Sequence, residues 1–233
     1  MAAKLRSILR QTRSSLLLKA AVFALAWFFF PFWLFLLVAL YLYFVPWFQT
    51  RKLLAPFLAL LVLAYLQPAG LVFFLIFGAL FYYLLLIKDL LVIDRRSAYE
   101  LLVLALSFFL LRDFYGRFGG ALTGAGFFWG FLTAALIGLL VRGFIRSFAE
   151  RADAPENRAA AGVSFLLIWQ FLMLGLFLPL DFVYQSVIVF LAVVLVADII
   201  PERYLGGSSR TKLFVTSATV FTLAAIVLAS AQW

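Results

Sequence analysis

Long uncharged runs, separated by short basic clusters, set the pattern of this chain. From Leu53 to Ile87 there are 35 residues without a charge, interrupted by one polar turn signal, Gln67-Pro68-Ala69-Gly70. A single helix of that length would measure roughly 52 Å at ~1.5 Å per residue. The hydrocarbon core of a bilayer is ~30 Å thick and takes about 20 helical residues. That excess is more than tilt absorbs. Proline lacks an N–H and drives the preceding residue out of the helical region, while glycine tolerates a reversal. The pattern predicts two antiparallel helices that reverse within residues 66–71.

The same reasoning extends along the chain. Ala20 to Thr50 is a second uncharged run, with Pro31 inside AWFFFPFW between Trp27 and Trp33. It reads as a hairpin, the alternative being one long helix kinked at Pro31. Residues 97–141 are expected to turn at RDFYGRFGG, 112–120, and residues 159–202 at LPLD, 178–181. Leu213 to Trp233 forms one last span. The expected fold is all-α: a polytopic transmembrane helix bundle of about nine short spans, four helical hairpins plus one terminal span, with seven to eight spans as the fallback. No sequence repeat recurs at a fixed period. Residues 1–18 place Leu5, Ile8, Leu9 and Leu16 on one helical face and Arg6, Arg10 and Arg13 on another. They read as a basic amphipathic interfacial helix that contacts anionic lipid, ahead of a single transmembrane domain over residues 19–233. A nucleic-acid partner is not expected, since such binding uses an extensive solvated surface.

Charge fixes the expected orientation. The nineteen Lys and Arg residues fall in six clusters, and the hairpin scheme puts all but Arg112 and Arg117 on one side. Positive charge stays cytoplasmic. The N-terminus is therefore expected in the cytoplasm and the C-terminus outside, in a bacterial-type inner membrane.

Composition then narrows the chemistry. The chain is 67% hydrophobic, 12% charged and has a mean hydropathy of +1.14, too little polar surface to cover a water-exposed globule. Neither His nor Cys occurs. Their absence removes serine–histidine hydrolysis, histidine-ligated haem and zinc, and thiolate chemistry. No catalytic constellation, cofactor or metal ligand set is expected.

A few polar residues stand out against this background. Gln170 lies near the middle of its span, where an unpaired amide is costly, so a partner on a neighbouring helix is expected. Thr216, Thr219 and Thr222 recur along one face of the last span. With Gln170 they form a candidate polar binding site, the alternative being helix packing. Glu100 and Asp198 are candidate intramembrane acids, expected to pair with Arg96 and Arg203 or to form a proton or cation site. Lys88-Asp89 and Arg112-Asp113 read as boundary charges. In GRFGGALTGAGFFWG, Gly120, Gly124, Gly126 and Gly130 are spaced for close helix packing. A phosphate loop is disfavoured there, because no strand precedes the run and no lysine sits beside its glycines. Three functions remain: a small transporter or substrate-binding membrane subunit, an assembly subunit docking partner helices, and an enzyme on lipid-linked substrates.

Overall fold

A computed structural model describes residues 2–45, 50, 52–89, 94–119, 123–148, 155–205 and 210–231. Among them all regular structure is helical, in nine helices: α1 (Ala2–Phe29), α2 (Phe32–Phe44), α3 (Leu54–Leu66), α4 (Leu71–Lys88), α5 (Arg95–Phe118), α6 (Gly124–Phe148), α7 (Pro155–Leu176), α8 (Phe182–Leu205) and α9 (Arg210–Ser230). Five are long and apolar enough to cross a membrane, namely α4 and α6 to α9. The apolar part of α1 (Ser14–Phe29), α2 and α3 are shorter. The chain divides into two compact units, Met1–Leu102 and Val103–Trp233, with the boundary inside α5.

In the first unit, aromatic contacts fix the directions of the helices. Phe23 stacks on Phe81, Trp27 meets Phe77 edge-on and Phe28 meets Phe74, so α1 and α4 run antiparallel. Tyr43 stacks on Phe57 and Phe32 meets Tyr65, which makes α2 and α3 antiparallel as well. The Lys19 ammonium donates to the Val45 carbonyl at 2.6 Å, joining the far end of α2 to the near part of α1. Residues 20–45 are therefore a hairpin turning at Pro31, and not one kinked helix. The second turn, residues 67–70, falls where the Gln-Pro-Ala-Gly signal predicts it.

α1 runs without a break from the basic N-terminal segment into the first apolar stretch. At its buried face Gly78 admits Ala24, whose Cβ lies 3.3 Å from where a Cβ on Gly78 would stand.

In the second unit, α6 and α7 pack antiparallel through Phe131 on Phe165 and Phe127 on Trp169. α5 lies antiparallel to α8, with Phe108 against Phe190 and Gly116 facing Phe182. The Tyr184 hydroxyl reaches the Ser230 carbonyl at 3.3 Å, so α9 returns antiparallel to α8. One turn differs from expectation. Residues 112–118 continue α5, and α6, which begins at Gly124, packs back along it, Gly126 facing Phe118 and Gly130 facing Phe114. An ion pair one helical turn apart, Arg117 Nε to Asp113 at 3.0 Å, supports that last stretch of helix. Gly119 closes it, donating its N–H to the Tyr115 carbonyl at 2.7 Å. The turn before α8, residues 177–181, stands as expected.

Glycine packing concentrates on α6. A Cβ on Gly130 would collide with Met173 Cε and meet Leu172 at 3.0 Å, and one on Gly138 would meet Phe165 at 3.1 Å. Gly126 faces Thr123 and Phe118, whereas nothing lies within 4 Å of a Cβ on Gly124. Gly120 lies outside the described residues. Gly130→Leu should therefore destabilise the bundle by about 1–3 kcal/mol, the usual cost of overpacking. Gly124→Leu should leave stability unchanged; thermal unfolding of both variants in detergent provides the comparison.

Candidate functional site

The polar residues singled out from sequence do not converge. Gln170 is exposed on α7, while Thr219 and Thr222 are exposed on α9. The two threonines bond within their own helix, Thr219 Oγ1 to the Val215 carbonyl and Thr222 Oγ1 to the Ala218 carbonyl, each at 2.8 Å. Back-bonding of this kind satisfies a hydroxyl in lipid without a partner helix. Thr216 is half-buried beside them. Glu100 is half-buried on α5 and belongs to the first unit, whereas Asp198 is buried on α8 in the second. The side chain of Arg203 lies outside what is described, so its expected pairing with Asp198 does too. Asp113 belongs to a helix, whereas Asp181 lies in the turn before α8, where its carboxylate accepts from the Val183 N–H at 3.2 Å.

Two further polar clusters are buried; the sequence reading took Lys88 for a boundary charge and passed over Tyr43, Tyr115 and Gln185. In the first unit Lys88 has no exposed surface at all. Its ammonium donates to the Tyr43 carbonyl and sits 5.3 Å from the centroid of the Tyr43 ring. Lys19 takes the Val45 carbonyl beside it, so two cations close the C-terminal end of α2. The dipole of a helix favours positive charge there, and its last carbonyls have no partners of their own. Tyr43 in turn donates its hydroxyl to the Thr50 carbonyl at 2.6 Å, and Tyr99 donates to the Lys52 carbonyl at 3.2 Å. At the other end of the hairpins, Trp27 Nε1 donates to the Ala64 carbonyl at 2.7 Å, serving the last turn of α3.

The second cluster surrounds Gln185, which is 1% exposed in the first turn of α8. Its Nε2 donates to the Leu178 carbonyl at 2.9 Å. The Oε1 is buried without a hydrogen-bond partner among the described residues and lies 3.0 Å from where a Cβ on Gly119 would stand. Nearby, the Tyr115 hydroxyl donates to the Leu172 carbonyl at 2.7 Å, over Gly175, where a side chain would collide with it. Depth misdirected the sequence reading. Gln170 is central in its helix but faces outward, whereas Gln185 is terminal but faces the core. The available signal was Tyr115, Gly175 and Gln185 at three neighbouring helix ends.

Chemically, these groups are donors aimed at backbone carbonyls. No set of three His, Cys, Asp or Glu able to hold a metal ion occurs among the described residues. Outside the apolar spans, Asp94 caps the N-terminus of α5, accepting from the Ser97 hydroxyl at 2.7 Å and the Ser97 N–H at 3.2 Å. Those bonds hold its carboxyl below the usual carboxylate range. The cap is complete above that range and is lost as pH falls through the lowered value, so the first turn of α5 should fray only in acid, visible as faster amide exchange.

Comparison with known protein families, with curated proteins and with solved structures finds no match. The buried glutamine supplies its own test. Gln185→Leu should cost about 0.5–1.5 kcal/mol in detergent unfolding, the net worth of one hydrogen bond. Gln170→Leu should cost nothing; equal losses would show that exposure does not separate the two.

Proposed function

We propose that this chain is a non-catalytic integral membrane subunit that assembles laterally, offering α9 to a partner transmembrane helix. The observation that supports this reading is how little of α9 the rest of the chain covers. Only 6% of its apolar window is buried, against 33–44% for the other four long helices. Val220 faces inward, and roughly half a turn around the helix Ala218, Thr222, Ala225 and Ala229 form an exposed stripe at helical spacing. Phe214 and Phe221 flank the stripe on one side, and Val215 and Ile226 on the other, all exposed. Lipid alone does not call for small residues. A line of them lets a second backbone approach closely, and close approach drives helix association where no hydrophobic force operates. Thr222 already bonds its own helix, so docking leaves no hydroxyl unpaired.

Transport draws less support, because Gln170, Thr219 and Thr222 occupy outward positions. The orientation that accompanies this proposal is a cytoplasmic N-terminus, with its basic segment against anionic lipid of an inner membrane, and an external C-terminus.

Both parts are open to cysteine chemistry, since the chain has none of its own. Ala225→Cys should give a disulfide-linked adduct on mild oxidation in membranes, and Val220→Cys should not. Mass spectrometry of the adduct tells a second copy from another subunit. Ala225→Leu should abolish the association. A chain that stays monomeric with either residue at position 225 has no docking face on α9. For orientation, cysteines at positions 3 and 154 should react with an impermeant maleimide from the same side; opposite sides would overturn the topology.

A further inference from the structure

The first unit carries no charge at the end opposite its lysines. Phe28 meets Phe74, Phe32 meets Tyr65, and the Trp27 N–H reaches the Ala64 carbonyl, so the Pro31 turn and the 67–70 turn stand level. The two segments that meet there, residues 26–35 and 63–74, hold no Asp, Glu, Lys or Arg. Their surface is apolar instead. Phe29 and Phe30 are exposed, and Leu71 and Val72 are 72% and 68% exposed. A soluble protein rarely leaves a contiguous patch of this kind in water.

Depth places this end at a boundary. α4 runs 18 residues from Leu71 to Lys88, about 27 Å along its axis. The uncharged run stops at Lys88-Asp89, which marks the near edge of the hydrocarbon. A core ~30 Å thick then brings both turns within one helical turn of the far edge. Two residues at this level suit a headgroup boundary. Trp33 and Tyr65 are 76% and 64% exposed, each an apolar ring with one polar atom. The Phe32 ring lies edge-on to both, at 6.4 and 4.8 Å between centroids, which fixes their heights together. Trp27 has the same chemistry but is buried, with its N–H on the Ala64 carbonyl.

We propose that Trp33 and Tyr65 anchor the chargeless end of the first unit in the headgroup boundary of the far leaflet. The partner is the ester and glycerol layer of the phospholipid. That layer accepts from the indole N–H and the phenol O–H, and its lower edge takes the rings of Phe29 and Phe30. The end therefore neither emerges into water nor needs a second protein to cover it. This rests on the chain being an integral membrane protein, and the deeper probes below test that reading separately.

The experiment uses the full chain in dioleoyl phosphatidylcholine vesicles, with bimane on single cysteines. Phe30→Cys and Val72→Cys report the end itself. Leu75→Cys and Leu58→Cys, exposed on α4 and α3, lie roughly 8 and 14 Å further in along the helices. The quenchers are phosphatidylcholines with a nitroxide on the headgroup, near the top of an acyl chain, or near its end. The headgroup nitroxide should quench Phe30→Cys and Val72→Cys best, and the chain-end nitroxide Leu58→Cys, with Leu75→Cys between. The ratio of headgroup to chain-end quenching should fall roughly threefold or more from Val72→Cys to Leu58→Cys. Quenching of all four by aqueous iodide, and by no lipid nitroxide, would defeat the membrane reading itself. Lipid quenching of Leu58→Cys with none at Phe30→Cys and Val72→Cys would overturn this proposal alone, as would strongest chain-end quenching at Val72→Cys. Trp33→Phe with Tyr65→Phe keeps both rings and removes both polar atoms. In that background the Val72→Cys probe should settle deeper, its headgroup to chain-top ratio falling about twofold. An unchanged ratio would deny the two residues their anchoring role.

Discussion

Inside hydrocarbon a backbone carbonyl has no water to turn to, and the remaining features of this protein follow from that shortage. Helices solve it along their length and fail at their ends, where the last carbonyls lack an N–H. This chain has many such ends, because several of its helices are short. It closes them with long side chains sent across from neighbours, Lys19 to Val45, Lys88 to Tyr43 and Trp27 to Ala64, and Gln185 serves the Leu178 carbonyl in the turn after α7 in the same way. Each donor is amphipathic, with an apolar stem that packs and a polar tip that bonds. A residue of this kind therefore contributes twice, as core and as cap.

That dual use explains the uneven legibility of the sequence. The all-helical fold and three of the turns could be read directly, since charge-free run length and proline or glycine signals act locally. The reversal after α5 was misplaced because RDFYGRFGG has turn-like glycines, yet Asp113 and Arg117 pair across one helical turn and carry the helix on to Phe118. Facing was harder still. Whether a mid-helix glutamine looks inward depends on rotation about the helix axis, and α7 gives little amphipathic asymmetry from which to read it. Gln170 and Gln185 exchanged roles for that reason. Lys88 was taken for a boundary charge because nothing in KDLLVIDRR shows that Tyr43, 45 residues earlier, lies over it.

Small residues form the second organising element. Inside the bundle they sit where helices come closest, with Gly130 beneath Met173 and Gly138 beneath Phe165. On α9 the same size class lies on the uncovered side, where the described part of the chain provides no neighbour to exploit it. The aromatic content follows the same geometry. Rings fill the wider gaps that bulky neighbours leave, stacking as Tyr43 does on Phe57 or meeting edge-on as Trp27 does with Phe77.

The reach of Lys88 has a consequence for assembly order. Hairpin contacts such as Lys19 with Val45 span 26 residues and become available as soon as α2 exists. The bond from Lys88 spans 45 residues and waits for α4. Until then the Tyr43 carbonyl lacks this donor, and Lys19 alone serves the end of α2. A chain threaded into the bilayer from its N-terminus thus closes in stages of rising loop length, the sequence that costs least entropy at each step. The buried lysine closes late: its arrival ties the end of α4 to the end of α2.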